Sequence, residues 1–234
     1  MVRSMSVWKL TVMTALCAGL TIASVPALAA KDAPPEVTQD GLHLKKQTKY
    51  RLVYVKPGTS FTQYRRVAIL ECGVEFSKTW LRDYNSSQRD PSRRIRDSDL
   101  ERAKTDLSAA FKKIFTDEIA GKGGYQISES AAPDVLVLRP ALVNIQVSAP
   151  DLMTPGRSTT FVQSSGQMTL YLELWDSATN TILARVMDAG ADPAMYGQRS
   201  SSVSNRAAAE RLMQSWAQEL HKRLDIVTGK DQSP

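Results

Sequence analysis

The segment that most constrains the fold is a long amphipathic stretch in the middle of the chain. Ser98 and Glu101 form a capping-box pair at its start, and the glycine-rich residues 121–124 follow its end. Its apolar residues recur at intervals of three and four, which places them on one side of a helix: Leu100, Ala103, Leu107, Ala110, Phe111, Ile114 and Ile119. The pattern predicts a helix that must bury one face against another layer.

Alternating apolar and polar residues predict strands before and after this helix. They occupy residues 64–76, 134–147, 167–175 and 181–187, with a weaker candidate at 50–55. A second amphipathic helix is predicted from Ser204, with its apolar side formed by Ala209, Leu212, Met213, Trp216, Leu220, Leu224 and Val227. Both helices need a surface to cover. We therefore expect an α+β fold, an antiparallel sheet of about four to five strands with two amphipathic helices packed on one face.

Residues 77–96 are polar and are predicted to form a long loop, held to the body of the protein by Trp80, Leu81 and Tyr84. The one basic cluster of the chain lies in this segment and comprises Arg89, Arg93, Arg94 and Arg96. It has two interpretations, a solvated loop or a contact with an anion or a phospholipid headgroup.

The first 29 residues have the parts of an export signal. Arg3 and Lys9 supply a positive start, residues 10–25 are uncharged and mostly apolar, and Ala27-Leu28-Ala29 is a signal-peptidase pattern. We expect cleavage after Ala29, or second after Ala30, and a periplasmic or secreted protein. Retention as a membrane anchor at the N-terminus is the alternative.

The rest of the predicted organisation follows from composition. Residues 30–40 contain two adjacent prolines and are expected to form a flexible tether, residues 41–227 a single α+β domain, and residues 228–234 a polar tail. Cys17 lies inside the apolar run of the signal (residues 1–29), but the residues before it do not fit a lipidation site. Membrane association is therefore left open but is not predicted.

Charge and cysteine content exclude several classes of protein. Removal of the signal lowers the formal net charge from +6 to +4, and an exported chain with this mild balance is not expected to bind nucleic acid. Only Cys72 would remain, so neither a disulfide framework nor a cysteine-based zinc site can form. Because Cys72 alternates with Leu70 and Val74 on an apolar strand face, we expect a buried, inert thiol.

No motif points to catalysis. The chain has no Gly-x-Ser-x-Gly motif and only two histidines, His43 and His221. His221 follows Leu220 of the apolar side of the last helix, so we expect it on the flank of that side or exposed, near the helix C-terminus. We therefore predict no catalytic residues, no metal site and no cofactor.

The candidate binding site is the segment 149–166, which joins two predicted strands and is much longer than a hairpin needs. Arg157 could bind an anion or a carboxylate, and Phe161 could act as an apolar anchor. Two interpretations stay open: a contact surface, or a loop that folds back over a sheet edge.

Five stretches carry a resemblance to a known family: YRRVAILECGVEF, SDLERAKTDLSAAF, PDVLVLRPALVNIQVSAPDLMTPGRS, GQMTLYLELWDSATNTILARVMD and VSNRAAAERLMQSWAQELHKRLD. Over residues 64–225 the chain resembles the bacterial family called domain of unknown function 3313. The resemblance implies an exported protein, often a lipoprotein in that family, and no assigned activity. The most specific part of the resemblance is the motif Pro-Asp-x-x-Thr-x-Gly-Arg-Ser at residues 150–158. It makes Asp151, Thr154, Gly156, Arg157 and Ser158 candidate binding residues.

These observations favour a non-enzymatic cell-envelope protein that binds another envelope component through residues 149–166 and an adjacent sheet edge. The alternative is a periplasmic module for a small molecule or a glycan, with Trp80, Trp175 and Arg157 lining one pocket. A hydrolase is a third hypothesis, and it would need reactive groups that the sequence does not bring together. The oligomeric state does not follow from the sequence.

Overall fold

The centre of the fold is a mixed sheet of eight strands. The computed structural model describes residues 33–147, 160–161, 166–190, 199–200 and 202–230. The strands of this sheet are β1 (His43–Lys45), β2 (Leu52–Val55), β3 (Arg66–Ile69), β4 (Gly73–Phe76), β5 (Gln126–Ile127), β6 (Val135–Val147), β8 (Gly166–Asp176) and β9 (Thr181–Gly190). They lie in the order β1-β2-β9-β8-β6-β3-β5, with β4 also beside β6. Two short strands, β7 (Thr160–Phe161) and β10 (Arg199–Ser200), pair with each other outside it.

The sheet is larger than predicted and is not purely antiparallel. β3 pairs in parallel with both β5 and β6, and β4 pairs in parallel with β6, whereas the other pairs are antiparallel. Parallel neighbours need a long crossover connection. The helical segment between β4 and β6 supplies it. The prediction of a four- to five-stranded antiparallel sheet was therefore wrong in strand number and direction, although the α+β class is confirmed.

Three helices lie in the part of the chain that the structure describes, where two were predicted. They are α1 (Lys78–Ser87), α2 (Asp97–Thr116) and α3 (Ser202–Thr228), and α2 continues as a π-helix over Asp117–Lys122.

α1 was predicted as a loop. It forms because the Ser77 hydroxyl accepts a hydrogen bond from the Trp80 amide at 3.3 Å. The Trp80 ring also stacks on Phe76 at 5.9 Å and lies 6.0 Å from the ring of Tyr84.

The start of α2 lies two residues before the predicted capping box. The helix begins at Asp97, with Arg96 as its N-cap. The Asp99 carboxylate accepts a hydrogen bond of 3.1 Å from the Arg96 amide, so Asp99 takes the role expected of Glu101. The position of the cap depends on the turn that precedes the helix, which the local motif does not record.

The predicted strand over residues 64–76 is split into β3 and β4 by the segment Leu70–Cys72. The neighbouring strand explains the break. The Leu138 carbonyl accepts a hydrogen bond from the Leu70 amide at 3.0 Å, so that side of β6 faces β3 and β4. Pro140 lies two residues further along β6, so its backbone nitrogen also faces β3 and β4. This nitrogen carries no hydrogen and cannot donate a hydrogen bond to them. The pairing with β6 resumes only at Ala141.

The core lies between one face of the sheet and the two long helices. Phe111 and Phe115 of α2 and Met213 and Trp216 of α3 join one buried cluster with the inward residues of β6 and β8, namely Leu136, Leu138, Leu142, Leu170, Leu172 and Leu174. The prediction that both helices cover one face is therefore confirmed. No helix among the described residues is long and apolar enough to cross a membrane.

The described elements belong to one compact unit, residues 35–234. Part of the predicted tether contacts this body, because Glu36 accepts a hydrogen bond from the Leu44 amide at 2.8 Å and Asp40 pairs with Arg185. The predicted signal peptide, residues 1–29, lies outside the described residues, as do residues 231–234 of the predicted tail.

Candidate functional site

Most of the predicted binding site lies outside the described residues. This holds for Asp151, Thr154, Gly156, Arg157 and Ser158. Phe161 is the exception: its backbone lies in β7, where it pairs with Arg199 of β10. The proposed roles of these six residues stay predictions.

The structure describes what surrounds the segment. Val147 at the end of β6 pairs with Gly166 at the start of β8, so both ends of the segment leave the sheet at one corner. Through β7 and β10 the segment also pairs with the connection between β9 and α3. The sheet edge beside this corner is β4, which pairs with β6 and with no other described strand. The adjacent edge of the prediction is therefore β4.

A polar cluster on the sheet face away from the helices is centred on Glu173. Its carboxylate accepts hydrogen bonds from the Tyr171 hydroxyl (2.7 Å), the Trp175 indole (3.0 Å) and two nitrogens of Arg185 (3.0 and 2.8 Å). Burial acts to raise the pKa of Glu173, but these donors outweigh it and hold the pKa below its ordinary value. Burial and the bond to Glu173 raise the pKa of Tyr171 to about 12. With its oxygens engaged by four donors, Glu173 is poorly suited to take a proton from a ligand.

Arg139 adds an exposed cation to this face. Its guanidinium carbon lies 4.6 Å from the centre of the Trp175 ring, which is a cation–π arrangement. Trp80 is elsewhere: its indole donates to the Val147 carbonyl at 3.0 Å, whereas Trp175 pairs with Val137. Ten residues of strand separate these two positions on β6, or about 30 Å. The two tryptophans therefore do not line one pocket, contrary to the alternative hypothesis.

A second polar cluster joins the π-helix to α3. Glu118 is buried, and its Oε1 lies 3.1 Å from His221 Nδ1. Its Oε2 accepts hydrogen bonds from Gln214 at 2.8 Å and from Lys122 at 3.0 Å. Burial acts to raise the pKa of Glu118, but the bonds from His221 and Lys122 outweigh burial and lower the pKa.

The other side of His221 is engaged as well. His221 Nε2 lies 3.0 Å from Asp225 Oδ2, and the other oxygen of Asp225 lies 3.1 Å from the Tyr125 hydroxyl. The Tyr125 hydroxyl also lies 2.8 Å from Thr228 Oγ1. Burial raises the pKa of Tyr125 to about 12. We call Glu118, Tyr125, His221 and Asp225 the His221 cluster.

Sequence reasoning missed the His221 cluster, because it expected His221 on the flank of the helix or exposed and assigned it no partner. The His221 side chain is only 20 % exposed, and each of its ring nitrogens contacts a carboxylate. The i, i+4 spacing of His221 and Asp225 was visible in the sequence, but Glu118 lies 103 residues away. Because a carboxylate occupies each ring nitrogen, His221 has no free nitrogen to act as a base. The arrangement suits a clamp between two helices better than a catalytic group.

The Cys72 thiol is also unsuited to act as a nucleophile. Cys72 is buried, and burial raises the pKa of its thiol to about 12, which keeps it protonated and unreactive at neutral pH. The prediction of a buried thiol is confirmed. No group of three or more potential metal ligands occurs in the described part of the chain.

The comparison with family models decides the affiliation of the chain. The model called DUF3313, described as a protein of unknown function, matches residues 38–220. The chain belongs to this family. The resemblance predicted from the sequence is therefore confirmed, and a search of curated proteins finds no match.

Three solved structures show how this DUF3313 member compares with known folds. The PelC dodecamer of Paraburkholderia phytofirmans is 14 % identical, with 71 % of this chain and 96 % of that chain covered and a TM-score of 0.38. A Xanthomonas campestris protein of the family model DUF330 is 13 % identical, with 76 % of this chain and 93 % of that chain covered and a TM-score of 0.39. A putative neuraminyllactose-binding hemagglutinin homolog of Helicobacter pylori is 11 % identical, with 73 % of this chain and 92 % of that chain covered and a TM-score of 0.35. At these values the likeness bears on neither ligand nor assembly.

Proposed function

We propose that this DUF3313 protein is an exported, non-enzymatic binding protein of the cell envelope, which contacts another envelope component through residues 149–166 and strand β4. The observation that carries the proposal is the position of β4. It is a sheet edge with one side unpaired by any described strand, at the corner from which residues 149–166 leave and to which they return. An unpaired strand edge can accept an extended segment of a partner by backbone hydrogen bonding.

A binding role also agrees with the state of the reactive groups. The Cys72 thiol is buried, His221 is held at both nitrogens, and Glu173 already accepts four hydrogen bonds. Each of these groups would have to break existing contacts before it could act on a substrate. The export part of the proposal is supported by the signal pattern of residues 1–29.

Site-specific photocrosslinking in cells tests the binding surface. A photoreactive amino acid replaces Glu75, an exposed residue of β4, or Phe161, and in a control it replaces Lys113, an exposed residue of α2. We expect Glu75 and Phe161 to give an adduct with the same envelope component and Lys113 to give none. Equal adducts from all three positions, or none from the first two in folded protein, would contradict the proposal.

Mass spectrometry of the protein isolated from cells tests export separately. We expect a chain that begins at Ala30 or Lys31. A chain that still begins at Met1 would refute cleavage without bearing on the binding surface.

A further inference from the structure

The turn between α1 and α2 carries a dense set of positive charges. Residues 78–97 contain six basic and three acidic residues, so half of the formal net charge of +6 lies in twenty positions. Four of the six are the exposed arginines 89, 93, 94 and 96. We call residues 88–96, which connect α1 to α2, the arginine turn.

The charges of the arginine turn are poorly neutralised by neighbours. Arg89, Arg94 and Arg96 form no ion pair with any described residue. Arg93 approaches Asp90 only to 3.9 Å, and both side chains are more than half exposed, so that pair contributes little. Asp90 instead accepts hydrogen bonds from the amide and hydroxyl of Ser92 at 2.9 and 2.8 Å. Arginines outside the turn that do form ion pairs include Arg66, Arg82, Arg185, Arg206 and Arg223, whereas Arg102 approaches Asp99 only to 3.8 Å.

The arginine turn nevertheless has a defined shape. The Asn85 side chain donates to the Ile95 carbonyl at 3.0 Å and accepts from the Ile95 amide at 2.8 Å. The Ile95 side chain is buried, and Asp90 caps a short 3₁₀ turn over Pro91–Arg93. The guanidinium groups therefore extend from a fixed backbone. A fixed backbone lowers the entropic cost of binding.

We propose that the arginine turn binds anionic phospholipid headgroups at a membrane surface. Guanidinium groups bind phosphate oxygens through paired hydrogen bonds. A protein partner would normally require a central apolar or aromatic anchor. The exposed large apolar residues of the described chain lie outside the turn, at Val37, Leu70, Ile127, Ile226 and Val227. Several separate cations without an apolar anchor fit a surface that carries many phosphates.

Vesicle sedimentation tests this inference on the purified protein, independently of β4 and of export. The test variant replaces Arg89, Arg94 and Arg96 with Gln. The matched control variant replaces three exposed, ion-paired residues with Gln, namely Lys113, Arg206 and Arg223, and so loses the same formal charge. Circular dichroism confirms that both variants are folded.

The parent protein is expected to sediment with vesicles that contain phosphatidylglycerol, less as salt is added, and not with vesicles of phosphatidylcholine alone. Each arginine near a strongly anionic surface contributes roughly fivefold to partitioning, so the test variant should bind about a hundredfold more weakly and the control only a few-fold. Equal losses in both variants, or no binding by the parent, would overturn the inference. Competition by soluble glycerol phosphate at the same phosphate concentration would also overturn it, because the ligand would then be free phosphate.

Discussion

The His221 cluster predicts a measurable energetic coupling between α2 and α3. Glu118, with a side chain 5 % exposed, accepts hydrogen bonds from His221, Gln214 and Lys122. Lys122 is 64 % exposed, so its pair with Glu118 contributes little. The other two bonds involve a charged acceptor, and each contributes about 1.5 to 3 kcal/mol. We therefore expect Glu118→Ala to lower the free energy of unfolding by about 3 to 6 kcal/mol.

The coupling itself is obtained from a double-mutant cycle with His221→Ala. Removal of His221 loses one bond to Glu118 and one to Asp225, so the two single substitutions share the first bond. The double variant should be more stable than the sum of the single losses predicts, by about 1 to 2 kcal/mol. Urea unfolding followed by circular dichroism at neutral pH gives all four free energies. In thermal unfolding, Glu118→Ala alone should lower Tm by roughly 10 °C.

A control pair sets the scale for this cycle. Arg206 and Glu210 lie four residues apart on α3, 3.1 Å from each other, with side chains 69 % and 44 % exposed. The same cycle on that pair should give a coupling below about 0.5 kcal/mol. If the Glu118–His221 coupling is as small as that of the control, the cluster does not clamp the helices and the reasoning is wrong.

Three further predictions follow from other contacts. In the folded protein the pKa of Glu118 is lower than its ordinary value of 4.5. The contribution of Glu118 to stability is therefore present above pH 4.5 and is lost as the pH falls through the folded pKa. Acid titration of the unfolding free energy should be flatter in Glu118→Gln than in the parent, and identical curves would contradict this. Ser77→Ala should cost about 1 kcal/mol in urea unfolding through loss of the α1 cap, whereas Ser86→Ala, at an exposed position late in α1, should cost clearly less. Cys72 should resist alkylation at mildly alkaline pH until the protein is unfolded, and rapid labelling of the native protein would show that the thiol is accessible.

Much of the local structure could be predicted from the sequence. The helix over residues 97–116, the helix at the C-terminal end and the hairpin of β8 and β9 all follow from periodicity and turn residues, as does the burial of Cys72. The hairpin is recognisable because Asp176 to Asn180 combines turn-forming residues with alternation on both sides. α1 was missed because its ten residues are mostly polar, like those of a loop, although Trp80, Leu81 and Tyr84 lie on one side of the helix. The helix is held to the sheet by Trp80, which packs on Phe76.

Alternation in a sequence records that one face of a segment is buried and leaves open which segment covers it or in which direction the neighbour runs. The tertiary structure alone therefore decided that β3 and β4 run parallel to β6, and that Pro140 lies opposite the break between them. It also decided that Glu118 meets His221 across 103 residues, and that Arg89, Arg94 and Arg96 are left without acidic partners among the described residues. The helices and strands follow from local backbone and side-chain preferences, whereas these contacts depend on how the chain returns through space.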